Sequence, residues 1–187
     1  ERNAGLLATP AALPALSLLE CLGVAVLLAL ACAVPAAAQT AATPARCSAP
    51  EYRQFDFWVG DWDVTLPDGK RAGHNRIEPI LGGCALRESW TGAGGLSGTS
   101  YNVYDRTRRV WHQTWVDGQG NLLQLEGSLA RGRMVLEGET VDSAGTRSRQ
   151  RITWEPAGPG EVRQLWETSP DGGATWAVAF DGRYRKR

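Results

Sequence analysis

Two histidines and one glutamate are the residues of this 187-residue chain whose types and neighbours could carry acid–base chemistry. His112 stands between Trp111 and Gln113, and Asp105 and Asp117 flank it within the same predicted hairpin. A carboxylate beside an imidazole can orient it as a general base. Successive side chains of a strand point to opposite faces, so His112 turns away from the Trp111 side. There it reads as a polar residue of an outer wall, bonding across strands. Glu88 lies two residues before Trp90 and shares its face, which makes it the second acid–base candidate. His74, in the first predicted hairpin, has no comparable setting. Two distant His and two separated Cys form no metal-ligand cluster, so no metal is expected.

A second pattern concerns binding. Four runs place a polar residue two positions before a large apolar one: Glu88-x-Trp90, Gln113-x-Trp115, Gln150-x-Ile152 and Gln164-x-Trp166. Each pair shares one strand face. Buried amides and carboxyls cost free energy unless they find partners. One solution is a lumen in which a ligand supplies them. Glu88, Gln113, Gln150 and Gln164 would then orient the ligand, and Trp90, Trp111, Trp115, Trp154 and Trp166 would supply stacking area. The other solution is that the polar residues pair with one another in a filled core.

The elements that must hold these residues are short strands. The β-rich runs are Trp62–Leu66, Ala72–Ile80, Cys84–Thr91, Ser97–Asp105, Arg109–Asp117, Asn121–Leu129, Arg133–Thr140, Thr146–Glu155, Glu161–Thr168 and Thr175–Arg185. Breaks rich in Gly, Asp and Pro separate them, which supply turn dihedrals at low cost. Short loops between regular strands imply antiparallel hairpins in chain order. An open meander of that size would leave two bare edges, so an up-and-down β-barrel of about 8–10 strands is expected, with a β-sandwich as the alternative. Pro50 to Trp58 reads as a short helix of about two turns, capped by Ser48 and placed to plug one barrel end. Trp176, Val178, Phe180 and Tyr184 are expected inside the last strand. Arg147, Arg149 and Arg151 face outward beside Arg133, Glu137 and Glu139 of the neighbouring strand, an arrangement suited to cross-strand charge pairing. Ser169 to Trp176 fits S-x-D-x-G-x-x-W and reads as a turn in which Asp171 binds the backbone.

Composition narrows the class. With 20 Lys+Arg against 20 Asp+Glu the chain is formally neutral, which disfavours wrapping nucleic acid. At 43% hydrophobic and 21% charged it is not a disordered tail. Leu22 to Val34 is an uncharged apolar run, too short for a membrane span and followed by Ala36-Ala37-Ala38. That is the pattern of a signal peptide, so residues 1–38 are expected to be removed, with no membrane span left after processing. Glu1 in place of Met implies a start that is truncated or misassigned. Residues 39–50 read as a linker and 51–187 as the barrel domain. All eight Trp remain in the processed chain, as do Cys47 and Cys84. In a periplasmic or secreted protein an even pair reads as a disulfide. The composition sets no oligomeric state.

Two resemblances follow from motifs. Gly60-Asp61-Trp62 is similar to the G-x-W opening of the calycin superfamily, which includes the lipocalins. There the Trp closes one barrel end under an Arg of the last strand, which implies Trp62 under Arg183 or Arg185. Some barrels of that kind hold haem through a late His. No His follows His112, so no cofactor is expected. Phe55 to Val64 (FDFWVGDWDV), Gly83-Cys84, Glu88-Ser89-Trp90, Gly98 to Asp105 (GTSYNVYD) and Trp111 to Asp117 (WHQTWVD) together resemble the DUF1579 type of exported bacterial protein. That family has no assigned reaction. The resemblance implies a lipocalin-like barrel and supports a Cys47–Cys84 pairing. Three functions stay open on this reading: binding of a small, partly polar organic molecule, an enzyme using Glu88 or His112, and a structural or interaction barrel with a filled core.

Overall fold

Period-two alternation broken by turn residues produces ten strands at the places marked above. The computed structural model describes residues 46–187, so the expected signal peptide and cleavage site lie outside the described residues. The strands are β1 (Gly60–Thr65), β2 (Arg71–Ile80), β3 (Ala85–Gly92), β4 (Ser97–Asp105), β5 (Val110–Asp117), β6 (Leu122–Ala130), β7 (Arg133–Val141), β8 (Arg147–Gly158), β9 (Glu161–Ser169) and β10 (Ala177–Lys186). Every strand pairs antiparallel with its neighbour in sequence, and β10 returns to β1, closing the barrel. Closure leaves no unpaired edge. The sandwich alternative is thereby excluded. Among the described residues no helix is long and apolar enough to cross a membrane.

The expected helix over Pro50–Trp58 is two 3-10 turns, Pro50–Arg53 and Asp56–Trp58. Ala49 rather than Ser48 precedes the first, with no side-chain cap. The two turns break the segment so that both Phe55 and Trp58 point into the barrel end, where each is fully buried. Cys47 and Cys84 sit at disulfide distance, with their Cα atoms 5.0 Å apart, and tie this segment to the turn before β3.

The last strand departs from simple alternation. Register shifts between Val178 and Phe180, which reverses the faces on either side. Phe180 and Tyr184 face inward as expected, but Val178 is exposed. Trp176 precedes the strand and packs outside: the Arg151 guanidinium stands 3.9 Å from its ring centroid. The S-x-D-x-G-x-x-W turn is held by Asp171, which accepts from the Thr175 amide at 2.8 Å and from the Ser169 hydroxyl at 2.7 Å.

The outer wall carries the expected charge ladder. Arg149 reaches Glu137 at 2.6 Å, Arg147 binds Glu139, and Arg151 crosses instead to Glu167 of β9 at 2.9 Å. On the inner wall Gly127 is required by close backbone approach. A Cβ there would lie 2.0 Å from the Val135 carbonyl oxygen, a contact only a backbone shift relieves. Gly127→Ala is therefore expected to lower stability by about 1–3 kcal/mol in urea unfolding, the scale of overpacking. An unchanged midpoint would show that β6 and β7 separate freely.

Candidate functional site

The barrel has two unlike ends. The β2–β3, β4–β5, β6–β7 and β8–β9 turns surround the plugged end. Phe55 stacks on Trp58 with centroids 4.9 Å apart and meets Trp154 at 5.2 Å and Trp111 at 5.6 Å. Trp111 and Trp154 were expected to line a ligand site, but both are sealed in this plug. Trp111 donates its indole N–H to Gln54 at 3.1 Å. The plug supplies the apolar half of the core together with Leu125, Met134 and Leu136.

Across the middle of the barrel runs a hydrogen-bonded belt that answers the burial of the polar residues. Asn75 donates to Glu88 at 2.7 Å and to the Tyr184 hydroxyl at 3.2 Å. Tyr184 donates to Gln164. The Ser100 hydroxyl donates to the other Glu88 oxygen at 2.6 Å. Ser100 accepts from Asn102 at 2.9 Å, and Gln113 donates to Asn102 at 2.9 Å. Separately, Trp166 donates to Gln150 at 2.8 Å and Gln150 to Thr140 at 2.9 Å. Gln113, Gln150 and Gln164 thus already hold protein partners. One acceptor in the belt has none: Asn75 Oδ1 is buried without a hydrogen bond. Asn75, Ser100, Asn102 and Tyr184 join the belt in addition to the four polar residues of the Glu/Gln pattern. Alternation in β2 and β4 carried the signal, since Asn75 and Ile77, like Ser100 and Asn102, share one face.

Glu88 is the ionisable carboxyl of this belt. Burial pushes its pKa above the ordinary carboxylate value, against the opposing pull of the Ser100 and Asn75 hydrogen bonds. A carboxyl raised in the folded state contributes stability that is complete below its unfolded value and is lost as pH rises through the folded one. Glu88→Gln keeps the volume and removes the ionisation. At pH 8 the variant is expected to be more stable than the native protein by about 1–3 kcal/mol, the scale seen when buried charge gives way to a neutral group. The gap should close towards pH 4. A gap that widens on acidification in urea titrations would contradict the assignment.

Above the belt lies the other end, ringed by the β1–β2, β3–β4, β5–β6, β7–β8 and β9–β10 turns. Here Trp90, Trp115, Trp166 and Phe180 occupy inward positions yet are only part-buried. The wall beside them is bare. Trp90 lies against Gly73, where a Cβ would be 2.8 Å from the ring, and Trp115 against Gly98, where it would be 2.2 Å away. The glycines let these indoles lie close to the sheet.

His112 lies on the outer wall, as alternation indicated. Its Nδ1 is 3.0 Å from Glu126 and its Nε2 is 2.8 Å from the Thr114 hydroxyl. Neither Asp105 nor Asp117 orients it: Asp105 holds Arg108, and Asp117 caps the β5–β6 turn through Asn121. Arg108 grips Glu126 with two bonds of 2.7 Å and, with His112, holds its pKa down to about 2. The cation above Trp62 is Lys186, 5.8 Å from its ring, rather than Arg183 or Arg185. Those two pair with Asp181 and Glu161. Among the described residues no group of three or more His, Cys, Asp or Glu could hold a metal. A surface cleft of about 680 Å³ beside the plug is lined by Arg46, Tyr52, Tyr104, Arg106 and Arg109, among others. A scan against protein-family models and a search of curated proteins find no match to this chain.

Proposed function

We propose that the protein is an exported lipocalin-like barrel that binds a small, partly polar organic molecule in the unplugged half of its lumen. The observation that carries this reading is the contrast between the two barrel ends. Trp58, Trp62, Trp111 and Trp154 are at most 2% exposed, whereas the inward-facing Trp90, Trp115 and Trp166 keep part of their surface open to solvent. Aromatic surface left accessible in a concavity is a recurring property of small-molecule sites. The site then consists of Trp90, Trp115, Trp166 and Phe180 as walls, with Gln150, Gln164 and Glu88 on its floor. Trp111, Trp154 and Gln113 serve the core instead. The apolar run before Ala38 and the Cys47–Cys84 pair support export, and kinship with the DUF1579 type rests on the motif residues Phe55 to Val64 and Trp111 to Asp117.

The test uses the neutral fluorophore N-phenyl-1-naphthylamine. Its emission should rise and tryptophan emission should fall on mixing with the purified protein. Trp166→Ala and Trp90→Leu should each weaken this binding about tenfold. A tenfold change is about 1.4 kcal/mol, within the range for loss of one aromatic stacking contact. No change in either signal would mean a filled lumen and sink the proposal.

A further inference from the structure

We propose that the molecule taken up by the lumen is an organic cation, an amine or quaternary ammonium on a small apolar body. This rests on the lumen reading above and adds the charge of the ligand to it.

Three independent features point to positive charge. The inward positions of the unplugged half hold two carboxyls, Glu88 buried on the floor and Asp117 at the rim end of β5, and no Lys, Arg or His. The groups bonded to Glu88 from the packed strands are neutral: Asn75 of β2 and Ser100 of β4. Tyr184 of β10, the titratable neighbour, bonds to Asn75 and has its own pKa raised by burial. A buried carboxyl whose partners are all uncharged leaves its counter-charge to be supplied from outside. Next, the walls above it are π faces. Trp90 lies two residues from Glu88 on the same strand and meets Phe180 edge-on at 6.1 Å, and Trp115 and Trp166 complete the ring. Aromatic faces around a carboxyl attract an ammonium and offer nothing to an anion.

The third feature is how charge is distributed along the barrel axis. Most cations of the outer wall pair with carboxylates. Among the described residues Arg46, Arg106, Arg109, Arg131, Arg133 and Lys186 have no such partner and lie at the plugged end, where Glu51 and Glu155 are the carboxylates without a cation; Arg71 is the exception at the other end. The turns around the unplugged end carry Asp117, Asp142 and Asp171, whose bonds are to their own turns. The resulting field is negative at the mouth and draws cations in. Asn75 Oδ1, buried without a donor beside Glu88, adds an acceptor that an ammonium N–H would satisfy.

Binding should be linked to a proton. At a pH where Glu88 is protonated, a permanent cation seated over it favours the carboxylate, and the proton leaves to solvent. No bond to the ligand is made or broken.

The experiment displaces bound N-phenyl-1-naphthylamine with three phenyl probes: benzyltrimethylammonium, its isosteric uncharged carbon analogue neopentylbenzene, and the anion benzoate. The expected order is the cation at least tenfold tighter than the neutral analogue, with benzoate weakest. Glu88→Gln should remove the tenfold preference, read in that variant as the ratio of the displacement constants of the cation and the neutral analogue. Titration of the cation in weakly buffered solution should release protons in the native protein and none in Glu88→Gln. If the fluorophore binds and the neutral analogue or benzoate displaces it as well as the cation does, the charge assignment is overturned and the lumen reading stands. If the fluorophore itself does not bind, both fall.

Discussion

Trp154→Ala is expected to remove about 3–5 kcal/mol of stability, while Trp166→Ala removes about half as much or less. Both tryptophans take inward strand positions, Trp154 four residues after Gln150 and Trp166 two after Gln164, and neither local pattern says which is sealed. Their surroundings do. Trp154 is 1% exposed and meets Phe55 and Trp58 at 5.2 Å each, so truncation empties a cavity in a plug that cannot collapse around it. Its indole N–H has no hydrogen-bond partner, so the loss is one of packing alone. Trp166 is part-buried and already in contact with solvent, so its removal opens less new apolar surface. The loss there includes its bond to Gln150 at 2.8 Å. Urea unfolding of both variants measures the difference, and a domain of this size should show a fall in Tm of about 10 °C or more for Trp154→Ala. Equal losses would mean that the barrel is packed alike at both ends, which would remove the basis for an open lumen. Fluorophore binding should move in the opposite order, falling for Trp166→Ala and persisting in Trp154→Ala below its melting range.

Loss of the Cys47–Cys84 link is the second large effect. The two residues are 37 apart in sequence, and closing a loop of that length restricts the unfolded chain by about 3–4 kcal/mol in the chain-entropy account. The native side of the balance matters equally. The link holds the segment before Pro50 against the turn before β3, and that segment delivers Phe55 and Trp58 to the barrel end. Arg53 supports the same junction by donating to the Gly83 carbonyl. In the Cys47→Ser/Cys84→Ser variant, Tm should fall by about 10 °C, and a reducing agent should lower the native protein to the same value without affecting the variant. A native Tm indifferent to reductant would show that the plug holds without the link.

Much of the architecture was legible before any coordinates. Strand positions follow from period-two alternation between Gly, Asp and Pro breaks, because backbone sterics couple those residue types to turns and those periods to sheets. The outward Arg147, Arg149 and Arg151 against Glu137 and Glu139 were legible for the same reason. Alternation misled where the backbone slips. The irregularity after Val178 exchanges inside for outside, and neither Val178 nor Trp176 carries a local mark of it. The helix expected over Pro50–Trp58 failed because nine residues bury too little as one amphipathic face. As two 3-10 turns they deliver two aromatic rings to one place.

By itself, the amino-acid sequence determined where the strands lie, their antiparallel hairpin order and which faces are polar, since each depends on neighbours a few residues apart. Which end of the barrel is sealed was decided only in three dimensions. Trp111 and Trp154 look like Trp115 and Trp166 in the chain, but Phe55 meets Trp111 from 56 positions away, and Phe55 and Trp58 meet Trp154 from 99 and 96. The belt was decided the same way: Asn75, Glu88, Ser100, Asn102, Gln113, Gln164 and Tyr184 come from six strands. Hydrogen bonds between such residues depend on barrel closure, which brings β10 beside β1 and sets every side chain's distance to partners that no local pattern names.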